Sequence, residues 1–565
     1  VTGNPATDFS VAILGELIRR GVRDVVVCPG SRSQALALAA AAFDRAGLVR
    51  LSVRIDERAA GFLALGLAVE TGLPVAVITT SGTAVANLHP AVLEARHSGV
   101  PLILLTADRP TELRGIGSNQ TTKQVGLFGP AVEWIRDVEA PHESGFDPDY
   151  SAELANEAYS AAAGHTSSPG PVQLNLAFRE PLSGPVFELP HLTPHEWPER
   201  GAAVGLPISQ AGHTVVIAGS GAGARAEQLA RSLGVPLLAE ASSGARFGPN
   251  LVGAYRELLR RPEFGGRVRR AIVFGHPTLS RDIPALLQRS DVEVLIVSGP
   301  GAEAYNPGHR ATSISPAVRY DGEPDGSPTG RAWLGSWVHS SREILSGDRD
   351  GAGERAGGAE LSSTRPVDDR PGDLGRHQLA TFREAVTRRM LALAVWQATW
   401  PHDRLVLGAS RLIRAVDENV PGKKISVHSN RGLAGIDGTV ATAVGIAVAS
   451  QDGDGQAGVT RVVLGDVTLL HDVGSLLFGL GERRPRLQVI VGNDGGGTIF
   501  DDLEVAETAP SDAFDRVLYT PHETDFASLA AAYGWTYRLV RNRGELSEAL
   551  STTDGQFLIE VPLPR

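Results

Sequence analysis

The sequence predicts an α/β protein built from three doubly wound parallel-sheet domains. Three observations point there: a length of 565 residues, apolar runs alternating with helix-length segments, and a pattern in the first third that recurs in the last. A chain of this length exceeds what one hydrophobic core serves and divides into about three domains of ordinary size. Strands that alternate with helices imply parallel sheets covered on both faces. The domains are expected over 1–190, 191–345 and 379–565, with a flexible linker over 346–378.

In the first third, strand Asp24–Cys28 runs into Pro29-Gly-Ser-Arg-Ser33 and an alanine-rich helix. Pro-Gly supplies the turn and Ser31 or Ser33 is expected to cap the helix. The free N–H groups together with Arg32 make an anion site. Next come a small-residue helix through Phe62–Ala68, strand Pro74–Thr79, turn Thr80–Thr83, helix Ala84–Ala95 and strand Pro101–Leu105 ending at Asp108. The last third repeats the series with helix Thr439–Ala447, strand Arg461–Leu464, turn Gly465-Asp466, helix Val473–Leu480 and strand Leu487–Val491, ending at Asn493. Ser81 and Asp108 stand 27 positions apart, and Asp466 and Asp494 stand 28 apart. Matched halves are what a cofactor clamped between two related domains requires.

The middle third opens on strand Thr214–Ala218 and the turn Gly219-Ser-Gly-Ala-Gly-Ala224, with Glu240 after the next strand. This fits a dinucleotide-binding fingerprint and gives a second functional reading, an oxidoreductase. Glycines at a first βα turn serve packing equally well. Residues from Ser346 to about 375 are rich in Gly, Asp, Arg and Pro, and such a stretch buries too little apolar surface to offset its ordering entropy.

Composition narrows the function. Apolar content of 42% and charged content of 21% belong to a soluble globular chain. No apolar stretch approaches the ~18 residues of a membrane span, so no membrane insertion is expected. A net charge of −11 argues against nucleic acid as a partner. The lone Cys28 permits no internal disulfide and fits a cytoplasmic location. Lysine occurs only at Lys123, Lys423 and Lys424, and none stands out as a Schiff-base former.

Asp466 and the pair Asn493-Asp494 each follow an apolar strand. Adjacent parallel strands ending in oxygen donors bring those donors to the carboxyl edge of a sheet, where ligands of open α/β sheets bind. Hard oxygen donors suit Mg²⁺ holding a diphosphate. Ordinary βα turns use the same residues.

The spacing resembles the diphosphate–Mg²⁺ motif of thiamine diphosphate enzymes, Gly-Asp-Gly followed by Asn-Asn. Cys28-Pro-Gly-Ser-Arg-Ser33, Ile55-Asp-Glu-Arg58, Thr80-Ser-Gly-Thr-Ala-Val-Ala-Asn87, Thr106-Ala-Asp-Arg-Pro110 and Asn119-Gln120 carry a narrower resemblance. Ser429-Asn-Arg-Gly432, Gly435-Ile-Asp-Gly438 and Gly495-Gly-Gly-Thr-Ile-Phe500 extend it. Together these resemble the SEPHCHC (2-succinyl-5-enolpyruvyl-6-hydroxy-3-cyclohexene-1-carboxylate) synthases of menaquinone biosynthesis. The match covers most of the first and last domains in order, and the central domain only in general pattern.

The resemblance implies a pyrimidine-binding, a central and a diphosphate-binding domain in the thiamine diphosphate enzyme fold. It implies decarboxylation of 2-oxoglutarate and addition of the succinyl-semialdehyde carbanion equivalent to isochorismate. The enzyme would be a homodimer or homotetramer with active sites between subunits. By position, Glu57 pairs with the aminopyrimidine as the catalytic acid/base. Thr80, Ser81, Gly82, Asn87, Ser410, Gly435, Gly465, Asp466, Val467 and Asn493 fall at cofactor contacts. Ile436 supports the bent cofactor, and Ile499 lines the site. Asp466, Asp494 and the Gly496 carbonyl fall at the ligands of Mg²⁺ or Mn²⁺. Ser31, Arg32, Arg109, Asn119, Gln120, Arg281, Arg414, Arg431 and Phe500 fall at substrate contacts. Two departures stand out: the second Asn of the motif is Asp494, leaving the ligand open between Asn493 and Asp494, and a basic pair appears as Ser280-Arg281. His471 and Asp472 are expected only to start a helix.

Overall fold

The computed structural model describes residues 3–142, 147–186, 188–197, 205–299, 301, 303–351, 382–453 and 458–565. The first sheet holds β1 (Asp24–Val27), β2 (Arg50–Val53), β3 (Val75–Thr79), β4 (Leu102–Asp108), β5 (Trp134–Val138) and β6 (Pro171–Ala177). Its order is β2-β1-β3-β4-β6-β5, with every pair parallel. Strands β1, β3, β4 and β6 are buried along their whole length, as their Val/Ile/Leu-rich runs require when helices cover both faces.

The middle of the chain contributes β7 (Leu206–Pro207), β8 (Thr214–Ala218), β9 (Leu237–Ala239), β10 (Arg270–Phe274), β11 (Glu293–Val297), β12 (Ser313–Ser315) and β13 (Val318–Arg319). Five of them form a parallel sheet in the order β12-β11-β10-β8-β9, while β7 and β13 pair separately. The last sheet holds β14 (Arg404–Leu407), β15 (Ser426–His428), β16 (Thr460–Gly465), β17 (Leu487–Asn493), β18 (Thr536–Leu539) and β19 (Gln556–Pro562). Its order, β15-β14-β16-β17-β19-β18, repeats that of the first sheet strand for strand, again all parallel. The recurrence seen along the chain is thus a duplicated fold.

The helices differ from expectation in places. The segment Ala84–Ala95 is two helices, Thr83–Asn87 and His89–Ser98, because Pro90 lies in the first turn of the second. The helix expected at Val473–Leu480 is a short 3-10 turn, Val473–Leu476, preceded by helix Asp466–His471. Helix Pro328–Gly351 runs into the segment expected to be a linker from 346, and residues 352–378 of that segment lie outside the described residues.

First and last domains share one core. Helix Glu57–Thr71 is buried from Ala59 to Ala68 and helix Thr439–Ser450 from Thr439 to Val448, and Phe62, Leu63, Leu67, Val440, Val444 and Ala447 belong to a single apolar cluster. Each fully buried Leu or Val contributes about 1.5–3 kcal/mol. The central domain is tied to the last by a buried polar joint. Asp417 accepts hydrogen bonds from the Ala241 N–H at 2.8 Å and the Tyr255 hydroxyl at 2.6 Å. Arg246 donates to the carbonyls of Asp417 and Val420. No helix among the described residues is long and apolar enough to cross a membrane.

Candidate active site

The candidate residues of the first domain collect where its strands end. After β1, the turn Cys28–Ser33 leads into helix Gln34–Arg45. Neither serine caps it as expected: Ser33 is the N-cap residue but its hydroxyl donates to the Gly30 carbonyl at 3.3 Å, and Ser31 is exposed. The helix N-terminus therefore has no side-chain cap, although the Gln34 N–H reaches the Ser31 carbonyl at 3.4 Å. Arg32 donates to the Phe178 carbonyl at 3.0 Å, and burial, then the charge of Arg109, lowers its pKa.

Arg109 follows β4 and is buried. One of its nitrogens donates to Ser81 Oγ and to the Gln120 carbonyl, both at 2.5 Å. Gln120, at φ 53°, returns a bond from its amide to the Ser81 carbonyl at 3.0 Å, while the neighbouring Asn119 is exposed. Gly82 donates its N–H to Gln124 Oε1 at 2.9 Å. Gln124 in turn reaches Asn175, which holds Asp108. Nothing local in the sequence marked Gln124 or Asn175, because the network joins strand ends distant along the chain. The Thr80 hydroxyl is buried without a hydrogen-bond partner.

Glu57 is the first residue of its helix. Asp56 caps it through Oδ1, which accepts from the Arg58 N–H at 2.9 Å and from the Ala59 N–H at 3.4 Å, so the Glu57 carboxyl is free for another task. Glu57 is half-buried, and Asn87 donates to its Oε2 at 3.3 Å. Beside it, Arg58 crosses to the last domain and donates to the His471 carbonyl at 2.6 Å.

In the last domain, β16 and β17 pair through Gly465 and Gly492, so Asp466 and Asn493-Asp494 leave adjacent strands side by side. Asp466 Oδ1 accepts from the Val467 N–H at 2.7 Å. Its Oδ2 lies 3.2 Å from His522 Nε2 without the alignment of a hydrogen bond. Burial first, and then the Asp494 charge, raise the Asp466 pKa. Asn493 is committed to the fold: its amide donates to Glu560 at 2.7 Å and its Oδ1 accepts from the Gly495 N–H at 3.1 Å. Asp494 instead meets Arg388 and Thr498. Gly496 sits at φ 158°, where a Cβ would lie 2.3 Å from the Tyr519 carbonyl, so no other residue fits.

Ser410 caps helix Arg411–Asn419 through the Leu412 N–H at 3.0 Å and lies next to Gly465. Arg414 donates to the Ser410 carbonyl at 3.0 Å. Burial, with Arg256 and Arg281 adding to it, lowers its pKa. Arg431 is buried and grips Thr278 of the central domain at 2.5 and 2.9 Å, and burial lowers its pKa despite the opposing charge of Glu240. Arg281 is different: it is exposed and paired with exposed Glu504 at 3.1 Å. Ile436, Val467, Ile499 and Phe500 are half-buried around these turns, and Gly435 is exposed. His471 ends helix Asp466–His471 and does not start one, whereas Asp472 stands at the start of the 3-10 turn Val473–Leu476, as expected. It accepts from the N–H groups of Val440 at 2.8 Å and Ala441 at 3.0 Å, capping another helix from a distance.

In the middle-domain fingerprint, Gly219 has a packing explanation, while Gly221 and Gly223 adopt positive φ with open space beside them. Glu240 is fully buried and accepts from the Leu279 N–H at 2.6 Å, so no ribose reaches it. A Cβ on Gly219 would lie 2.0 Å from Pro277 N, which shows the glycine there to serve close approach of two loops.

The last-domain turn fits a cation and a diphosphate. Asp466 offers a buried oxygen lacking an aligned partner, and the glycine run leaves backbone accessible. No group of three His, Cys, Asp or Glu side chains able to hold a metal occurs among the described residues. A cation here would draw on two carboxylates, a carbonyl and phosphate oxygens, as Mg²⁺ does.

A family model, thiamine pyrophosphate enzyme, N-terminal TPP binding domain, matches residues 8–127. A protein of Leifsonia xyli subsp. xyli (strain CTCB07) named 2-succinyl-5-enolpyruvyl-6-hydroxy-3-cyclohexene-1-carboxylate synthase is 59% identical over 587 aligned positions, covering 100% of this chain and 97% of the relative. The protein of the same name from Clavibacter michiganensis subsp. michiganensis (strain NCPPB 382) is 57% identical, with coverage of 100% and 97%. That of Rhodococcus opacus (strain B4) is 38% identical, covering 98% and 94%. The chain is an enzyme and belongs to the 2-succinyl-5-enolpyruvyl-6-hydroxy-3-cyclohexene-1-carboxylate synthase family of thiamine diphosphate enzymes.

Proposed function

We propose that this enzyme decarboxylates 2-oxoglutarate and joins the remaining four-carbon unit to isochorismate, releasing CO₂ and retaining the enolpyruvyl group, with thiamine diphosphate and Mg²⁺ or Mn²⁺. The observation that carries this reading is the β16–β17 pairing, which delivers Asp466 and Asp494 together at the carboxyl edge of the last sheet. Asp466, Asp494 and the Gly496 carbonyl would hold the cation, with Gly465, Val467, Asn493 and Ser410 around the diphosphate. When bound, thiamine diphosphate supplies the carbon centre that cleaves a 2-oxoacid. Glu57 holds and returns a proton at its carboxyl, oriented by the Asn87 amide.

Both substrates are dicarboxylates, and guanidinium forks bind carboxylates in pairs of hydrogen bonds. Arg32 and Arg109 in the first domain, and Arg414 and Arg431 in the last, are partly desolvated, which strengthens such bonds. Ser31, Asn119, Gln120, Arg281 and Phe500 complete the substrate contacts. The functional unit is a homodimer or homotetramer with sites between subunits, working in the cytoplasm. The test is an assay of purified protein with thiamine diphosphate, Mg²⁺, 2-oxoglutarate and isochorismate. A product carrying both carbon skeletons less one CO₂ supports the reading. Turnover of 2-oxoglutarate that ignores isochorismate contradicts it.

A further inference from the structure

Two carboxylates share the turn region at the ends of β16 and β17, and both are largely withdrawn from water. Asp466 is 1% exposed and the Asp494 side chain 10%. Such a pair repels itself and would repel a diphosphate unless a positive charge offsets it. That charge is present. Arg388 Nη2 lies 2.7 Å from Asp494 Oδ2, and Thr498 Oγ1 donates to the same oxygen at 2.5 Å. Among the described residues no donor reaches Asp494 Oδ1. The backbone of the turn is held separately, by the Tyr519 hydroxyl donating to the Asp494 carbonyl at 2.8 Å.

The helix does not explain Arg388. It is the first residue of Arg388–Ala398, whose N-terminus Thr387 already caps through the Met390 N–H at 3.2 Å. A cation at that end opposes the helix dipole. Its Nε is buried without a partner, a further cost. What it gains is Asp494.

We infer that Arg388 is the resident counter-ion of the cation site: it neutralises Asp494 through Oδ2 and leaves Oδ1 for the metal. The site then presents an incoming Mg²⁺ with the net charge of one carboxylate instead of two. This rests on the proposed reading of Asp466 and Asp494 as metal ligands. Asn493 is a poorer candidate than Asp494, because its amide already donates to Glu560 and its Oδ1 already accepts from Gly495. Of other basic groups nearby, His522 faces Asp466, and Arg565 stacks on Tyr519 while pairing with Asp501 and Asp515.

The test is Mn²⁺ binding, read by electron paramagnetic resonance at saturating thiamine diphosphate. Removing a positive charge a few ångströms from the metal in Arg388→Gln tightens Mn²⁺ by about tenfold or more. Asp494→Asn, which strands the Arg388 charge beside the metal, loosens it by about tenfold or more. The double variant regains the lost affinity, and Arg388→Lys stays near wild type. Should Arg388→Gln fail to fold, the comparison of Asp494→Asn with the double variant decides the question. Mn²⁺ affinity unchanged or weakened by Arg388→Gln, or a double variant as weak as Asp494→Asn, overturns the counter-ion role alone, provided that Asp466→Ala abolishes binding. Wild-type protein that binds no Mn²⁺, or Asp466→Ala that binds as tightly, overturns the metal site itself.

Discussion

Gly66 and Gly445 meet where the two central helices cross. A Cβ on Gly66 would lie 2.0 Å from the Thr442 carbonyl oxygen, and one on Gly445 would lie 2.2 Å from that of Leu63. The backbones touch because neither residue has a side chain, and this contact sets how the first and last domains dock. Gly445→Val is expected to cost about 3 kcal/mol or more by overpacking. The loss appears as an earlier unfolding transition in denaturant.

The joint between central and last domains makes a separate prediction. Asp417→Ala leaves the Tyr255 hydroxyl and the Ala241 N–H without their acceptor and removes the carboxylate 3.6 Å from buried Arg246. Breaking a buried charge pair this way costs about 3–5 kcal/mol. Denaturant unfolding of the two proteins measures it.

Asp472 predicts a pH dependence. Burial raises its pKa to about 6 from an ordinary value near 3.8, against the pull of Ser475, Ala441 and Val440. The folded state therefore holds this proton more tightly than the unfolded chain. Its stabilising effect is full below about pH 4 and is lost as pH rises through about 6. Asp472→Asn, which keeps an acceptor for the two helix N–H groups, lacks this dependence. Relative to that variant, the wild type loses about 2–3 kcal/mol between pH 4 and pH 7. Unfolding free energies measured across that range check the sign.

These residues also mark how far the sequence is legible. Strands β1, β3, β4, β16 and β17 and the turns that close them could be read because buried parallel strands are continuous apolar runs, whereas β2, β5, β6, β14, β15, β18 and β19 were not among the expected strands. Asp466, Asp494 and Arg109 stand at those ends, where the chain itself announces them. Asp472 capping Val440, Arg388 meeting Asp494 and Gly219 packing on Pro277 are tertiary contacts between distant segments, and no local pattern encodes them. Ser33 departs from the expected cap for a related reason: a serine before a helix has two backbone partners within reach, and here it takes the Gly30 carbonyl.

Arg109 ties Ser81 to Gln120 through one nitrogen, and on the proposed reading the rest of its fork meets a substrate carboxylate. Arg109→Lys keeps the charge but not the planar fork, and is expected to raise the KM for substrate by about tenfold at saturating cofactor. Steady-state kinetics with each substrate varied in turn shows which one it holds.

On the proposed reading Glu57 is the proton-handling carboxyl, and deuterium exchange at the thiazolium C2 position of bound thiamine diphosphate tests that role without any substrate. In wild type the exchange is expected to be fast. In Glu57→Gln, with cofactor still bound, it slows by about a hundredfold or more, the scale of a lost general acid/base. Equal exchange rates in the two proteins would contradict the assignment of Glu57 as the proton-handling carboxyl.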